Sequence, residues 1–115
     1  MKLYGIPNCN TVKKARAWLA EHQVATDFHD FRKDGIDEPL LQGWLAQLSW
    51  EKLVNRAGMT WRNLDDETKT SVMDNASATR LMLEKPAVIK RPVLVDGGKI
   101  LSVGFDEATY QKLLK

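Results

Sequence analysis

The run Val93-Leu-Val-Asp-Gly-Gly-Lys-Ile-Leu-Ser-Val103 limits the fold of this chain more than any other stretch. Two β-rich segments, Val93 to Val95 and Ile100 to Val103, flank Asp96-Gly97-Gly98-Lys99, and a glycine pair accepts the positive φ angles that a tight hairpin demands. The last third therefore contributes an antiparallel pair of strands. Near the other end, Leu3, Tyr4 and Ile6 form a short strand that Pro7 ends, because proline cannot donate to a ladder and restrains its predecessor. Val12, Ala15, Trp18 and Leu19 then recur at helical spacing from about Asn10 or Thr11, with Asn8, Asn10 or Thr11 available as the cap. A second strand is expected in the segment from Val24 that carries Phe28 and Phe31.

A β-α-β unit needs a right-handed parallel crossover, while the hairpin is antiparallel, and one mixed four-stranded sheet covered by helices satisfies both. The middle of the chain is helical. Asp37, Glu38 and Pro39 open a helix with Leu40, Leu41, Trp44, Leu45 and Leu48 on a core-facing stripe. The segment from Ser49 is expected to form a short helix that Gly58 ends, and Asp65 to Lys85 supplies one or two more before Pro86. Asp106 caps a last helix in which Ala108, Tyr110, Leu113 and Leu114 are available for packing. The expected architecture is α/β: one domain over 1–115 with a thioredoxin-like fold, a mixed four-stranded sheet and an α-helical insertion at about 37–85.

Composition removes several functions. A net charge of +2 lacks the concentrated basic face of a nucleic-acid binder, so no direct nucleic-acid binding is expected. No apolar leader or run of roughly 18 apolar residues is present, which predicts a cytoplasmic protein with no membrane partner. The single cysteine, Cys9, forbids an internal disulfide. No His, Cys and carboxylate cluster has metal-ligand spacing, so no metal and no resident cofactor are expected. His22 and His29 fall away from the Cys9 turn and read as structural or solvated rather than as a general base.

A free cysteine is ordinarily a small buried residue. Its position between a strand and a helix changes that reading, because unpaired N–H groups and the positive end of the helix dipole favour a thiolate. Lowering a thiol from about 8.5 to about 6 requires ~3.4 kcal/mol. A helix terminus typically supplies ~0.3–1 kcal/mol and at most ~2. The Thr11 hydroxyl, direct N–H···S contacts or a cation such as Lys13 would have to supply the remainder. Cys9-Asn-Thr-Val12 keeps C-x-x-C spacing but has Val12 where a resolving cysteine would stand. A mixed disulfide at Cys9 must then be resolved by an external thiol, for which glutathione is the abundant candidate. Arg91-Pro92 precedes the hairpin strand. In a thioredoxin-like sheet this junction lies opposite the cysteine, where a cis Pro92 would present the Arg91 backbone to a peptide-like substrate and the guanidinium would grip a carboxylate or oxyanion.

The segments "LYGIPNCNTVKKARAWL", "FHDFRKDG", "TWRNLDD" and "AVIKRPVLVDGG" together resemble the arsenate reductase (ArsC)/Spx family over nearly the whole chain, most closely its YffB branch. The resemblance implies a thioredoxin fold, a nucleophilic thiolate at Cys9, a cis Pro92 and glutathione-dependent thiol–disulfide reductase activity. Asn8, Asn10, Thr11, Lys13, Arg91 and Pro92 are the corresponding candidates for holding substrate or glutathione, and the family pattern adds Arg56. Two alternatives follow from the same resemblance: arsenate reduction coupled to glutathione and glutaredoxin, and a noncatalytic, Spx-like regulator that binds RNA polymerase. Arsenate reductases of the family carry a histidine four residues before the cysteine and a further arginine after the terminal hairpin. This chain has Gly5 at the first position and no cation in Ser102-Val-Gly-Phe105. A multiply charged oxyanion needs several donors, so thiol reduction is the expected activity.

Overall fold

The computed structural model describes residues 1–114 as β1 (Lys2–Gly5), α1 (Asn10–Glu21), β2 (Asp27–Asp30), α2 (Glu38–Leu45), α3 (Trp50–Leu53), α4 (Met59–Arg62), α5 (Asp66–Ser71), α6 (Asn75–Glu84), a 3-10 turn (Pro86–Val88), β3 (Val93–Asp96), β4 (Lys99–Val103) and α7 (Glu107–Leu114). None of the helices is long and apolar enough to cross a membrane. The chain divides into two compact units. One contains Met1–Gly35 and resumes at Arg91, and the other is Ile36–Lys90.

The first unit holds a four-stranded sheet in the order β2-β1-β3-β4. β1 and β2 are parallel, whereas β1 with β3 and β3 with β4 are antiparallel. This is the mixed sheet that the β-α-β start and the hairpin finish require. The register pairs Leu3 with Leu94 on one face and Tyr4 with Val93 on the other. Ala15, Trp18 and Leu19 of α1 and Tyr110 of α7 join Leu3 and Leu94 in one buried cluster. α1 buries Val12, Ala15, Trp18 and Leu19, the four positions expected from their spacing. Gly97 and Gly98 form the hairpin turn with φ of 57° and 82°, while Asp96 and Lys99, expected in the connection, are instead the last strand pair. A register shift between Leu94 and Val95 leaves Leu101 unpaired on β4 and packed against the same cluster.

The second unit is helical. Leu41 and Trp44 of α2, Leu53 of α3 and Val54 just after it, Ala78, Leu81 and Met82 of α6, and Val88 and Ile89 beyond it are buried. An isolated antiparallel bridge joins Val54 to Ile89, with Lys90 N–H donating to the Leu53 carbonyl at 2.7 Å and Asn55 N–H to the Val88 carbonyl at 2.8 Å.

Several boundaries differ from expectation. Gly58 does not end a helix; α3 stops at Leu53 because Val54 enters the bridge, and Gly58 is the N-cap of α4. β2 starts at Asp27 rather than near Val24, since Val24 N–H closes the end of α1 by donating to the Leu19 carbonyl at 2.9 Å. In α7 only Tyr110 is fully buried; Ala108 and Leu113 are exposed. Asp106 does cap this helix, accepting from Thr109 N–H at 3.1 Å.

Candidate active site

Pro7 and Asn8 turn the chain out of β1, and Cys9 takes the N-cap of α1 with extended backbone angles, φ −122° and ψ 126°. Its carbonyl accepts the first helical hydrogen bond, from Lys13 N–H at 2.9 Å. The cap is thus Cys9 itself, and none of Asn8, Asn10 or Thr11 caps the helix with its side chain, as the spacing had allowed. An N-cap side chain lies against the N–H groups of the second and third helical residues, here Thr11 and Val12. The thiol makes no cap hydrogen bond of ordinary geometry. Even so, these groups act on its protonation.

The Cys9 side chain is half-buried. Desolvation, the largest single influence, pushes its pKa up. The Val12 backbone N–H, the Arg91 side chain, the Thr11 backbone N–H and the Arg91 charge all pull it down, and together they outweigh burial, so the thiol lies below its ordinary value. Of the alternatives the sequence left open, direct N–H contacts and a cation are the ones that act. Thr11 contributes through its backbone rather than its hydroxyl, and the cation that acts on sulfur is Arg91, from the β3 side, rather than Lys13, which is exposed on α1. The spacing Cys9-x-x-Val12 held the signal for the Val12 N–H, because it fixes residue 12 at the third helical position whatever its side chain.

Arg91 is held in place by the strand that follows it. The Arg91–Pro92 peptide bond is cis, as the family resemblance implied, and Pro92 is buried. The Pro92 carbonyl accepts from Gly104 N–H at 2.8 Å, tying the junction to the end of β4. Asn8, Asn10 and Thr11 are exposed beside Cys9 in the turn and first helical residues. Arg56 belongs to the helical unit, where it pairs with Glu51 at 3.3 Å and lies 5.6 Å from the Trp50 ring centre. His29 contacts the Gly35 carbonyl through Nε2 at 2.6 Å, and His22 stacks on Trp18 with ring centres 3.8 Å apart. Both imidazoles are tied to nearby backbone carbonyls, His22 through Nδ1 at 2.9 Å from the Trp18 oxygen. Among the described residues no group of three His, Cys, Asp or Glu side chains is arranged to hold a metal ion.

The sheet order, the cysteine at the start of α1 and the cis proline before β3 are those of a thioredoxin-like fold. The ArsC family model matches residues 4–113, and the chain belongs to that family. It is 49% identical to a YffB protein of known structure, with a TM-score of 0.91 over 99% of this chain and 98% of the other. An arsenate reductase (ArsC) related protein from Brucella melitensis is 46% identical, with a TM-score of 0.80 over 99% and 93% of the two chains. The global transcriptional regulator Spx of Streptococcus agalactiae is 31% identical, over 91% of this chain and 76% of that protein. At the level of the family, the chain stands with arsenate reductase-related thiol oxidoreductases and Spx-like proteins.

Proposed function

We propose that this protein is a glutathione-dependent thiol–disulfide reductase working through Cys9 alone. The observation that carries the reading is the environment of the sulfur: two helix N–H groups and the Arg91 guanidinium favour the thiolate over the thiol, in a chain with no second cysteine. The Cys9 thiolate attacks one sulfur of a glutathione mixed disulfide, forming Cys9–S–S–glutathione and releasing the substrate as its thiolate. A glutathione thiolate then attacks the outer sulfur of that adduct, restoring Cys9 and leaving oxidised glutathione. In balance, the substrate mixed disulfide and one glutathione thiol give the substrate thiol and oxidised glutathione, the proton of the entering glutathione passing to the released substrate thiolate. Glutathione is a co-substrate here, and a glutaredoxin would be an equivalent source of the second thiol. Arg91 receives a carboxylate, while Asn8, Asn10 and Lys13 offer donors around the entering sulfur.

Mass measurement after incubation with oxidised glutathione tests this directly. One glutathione per chain, absent in Cys9→Ser and removed by reduced glutathione, is the expected result. An unmodified wild-type chain would sink the proposal. Arsenate turnover that saturates, depends on Cys9 and Arg91, and exceeds disulfide turnover would assign the same thiolate to oxyanion reduction instead. The similarity to the regulator Spx supports a second reading, a noncatalytic partner of RNA polymerase. Co-purification with polymerase that persists in Cys9→Ser would establish it.

A further inference from the structure

Gly5 ends β1, and backbone freedom does not explain it. Positive φ occurs at Gly35, Gly97, Gly98 and Gly104, and Gly5 is not in that group. What the position excludes is a side chain. A Cβ on Gly5 would stand 2.9 Å from Cγ2 of Val12, 3.5 Å from its Cγ1 and 3.8 Å from Phe28 Cε1. Optimal carbon–carbon separation is about 3.5–4.0 Å, so the first contact is repulsive. Val12 has little room to yield: it is fully buried, and a β-branched residue in a helix has one strongly preferred χ1 rotamer. Relief must come from the backbone, by the first turn of α1 moving off the end of β1.

That turn carries the groups that act on the thiolate. Val12 is the third residue of α1, and its N–H bears on Cys9 Sγ. We propose that Gly5 is a positioning residue for the Cys9 thiolate: carrying no side chain, it lets Val12 seat against β1 and so keeps the Val12 N–H at Sγ. The inference rests on the thiolate reading of Cys9 given above. It makes residue 5 part of the tuning of the nucleophile without contact to any substrate.

The test is a cycle of wild type, Gly5→Ala, Val12→Ala and the double variant, each titrated by the pH dependence of iodoacetamide alkylation, with urea unfolding measured alongside. Gly5→Ala raises the alkylation midpoint by about 0.5–1 pH unit, the loss expected when one hydrogen bond to a charged group is weakened. Val12→Ala removes both γ carbons that the new methyl would strike. In that background Gly5→Ala leaves the midpoint where Val12→Ala alone sets it. A Gly5→Ala protein that is less stable to urea but alkylates with the wild-type midpoint would overturn the inference, since its role would be structural only. An equal rise in both backgrounds would also overturn it, because the effect would not run through Val12. If Gly5→Ala fails to fold, the double variant decides by the same comparison with Val12→Ala. A wild-type midpoint at or above the ordinary value refutes the thiolate reading itself and this inference with it, whereas a low wild-type midpoint unmoved by Gly5→Ala refutes only the latter.

Discussion

Arg91 and Cys9 are separated by most of the chain, yet the guanidinium bears on the sulfur through both a hydrogen bond and its charge. Arg91→Met should therefore raise the alkylation midpoint of Cys9 and lower kcat/KM for a glutathione mixed disulfide by roughly 10- to 100-fold, the loss of one charge-assisted contact. A midpoint unchanged in Arg91→Met would show that the helix N–H groups suffice. Linkage gives a second prediction. A folded-state thiol lowered relative to the unfolded chain contributes stability that is present above the unfolded pKa, about 8.5, and is lost as pH falls through the folded value. The stability of wild type relative to Cys9→Ser should accordingly be greater at pH 9 than at pH 6 in urea titrations at both pH values. The candidate nucleophile was legible from a strand, a turn and a helix start. Arg91 was expected opposite Cys9 as a grip on substrate, but that its guanidinium also acts on the sulfur was not legible, because this depends on how β3 pairs with β1. Gly5 and Val12, which separately read as a missing histidine and a missing second cysteine, turn out to be neighbours, since a Cβ at residue 5 would stand 2.9 Å from Val12 Cγ2.

α6 shows how local chemistry fixes an element. Asp74 accepts from Ser77 N–H at 2.9 Å while Ser77 Oγ accepts from Asp74 N–H at 3.1 Å, a closed capping box. Ser77 Oγ also accepts from Met73 N–H at 3.0 Å. Ser77 is buried, so Ser77→Ala leaves donors without their partner and should cost about 1–2 kcal/mol in urea unfolding. A change near zero would mean that water replaces the hydroxyl. The Ser77 hydrogen bonds also hold the Asp74 carboxyl below its usual range, so this cap weakens as acid protonates it. The Gly97-Gly98 turn and the Asp106 cap were readable because each is a contact within four residues, and the Asp74-to-Ser77 box is equally local. Gly58 was misread for the converse reason. The end of α3 is set by the bridge from Val54 to Ile89, a partner more than thirty residues away that no local signal announces.

Across the sheet-bearing unit, Tyr110 ties α7 to α1: its ring meets Trp18 edge-on at 5.5 Å and Phe105 at 4.8 Å. Its hydroxyl is buried without a hydrogen-bond partner among the described residues, and burial pushes its pKa up to about 12. The Tyr110 contribution to stability is then level below about pH 10, where both states keep the proton, and falls as pH rises from about 10 towards 12, because only the unfolded chain ionises there. Tyr110→Phe should abolish about 2–3 kcal/mol of that alkaline loss while costing little at neutral pH, since it also removes an unsatisfied polar atom. Parallel alkaline denaturation curves for the two proteins would contradict this. By itself the sequence determined the element types, the mixed sheet, the lone thiol at a helix start and the absence of a second cysteine to pair with it, because periodicity, turn residues and a cysteine count are local or additive properties. Only the tertiary structure decided that Arg91 rather than Lys13 faces the sulfur, that Val12 rather than the Thr11 hydroxyl is its leading donor, and that Gly5 lies under Val12. Those are relations between strands and a helix, set by sheet register and side-chain volume, which no spacing along the chain contains.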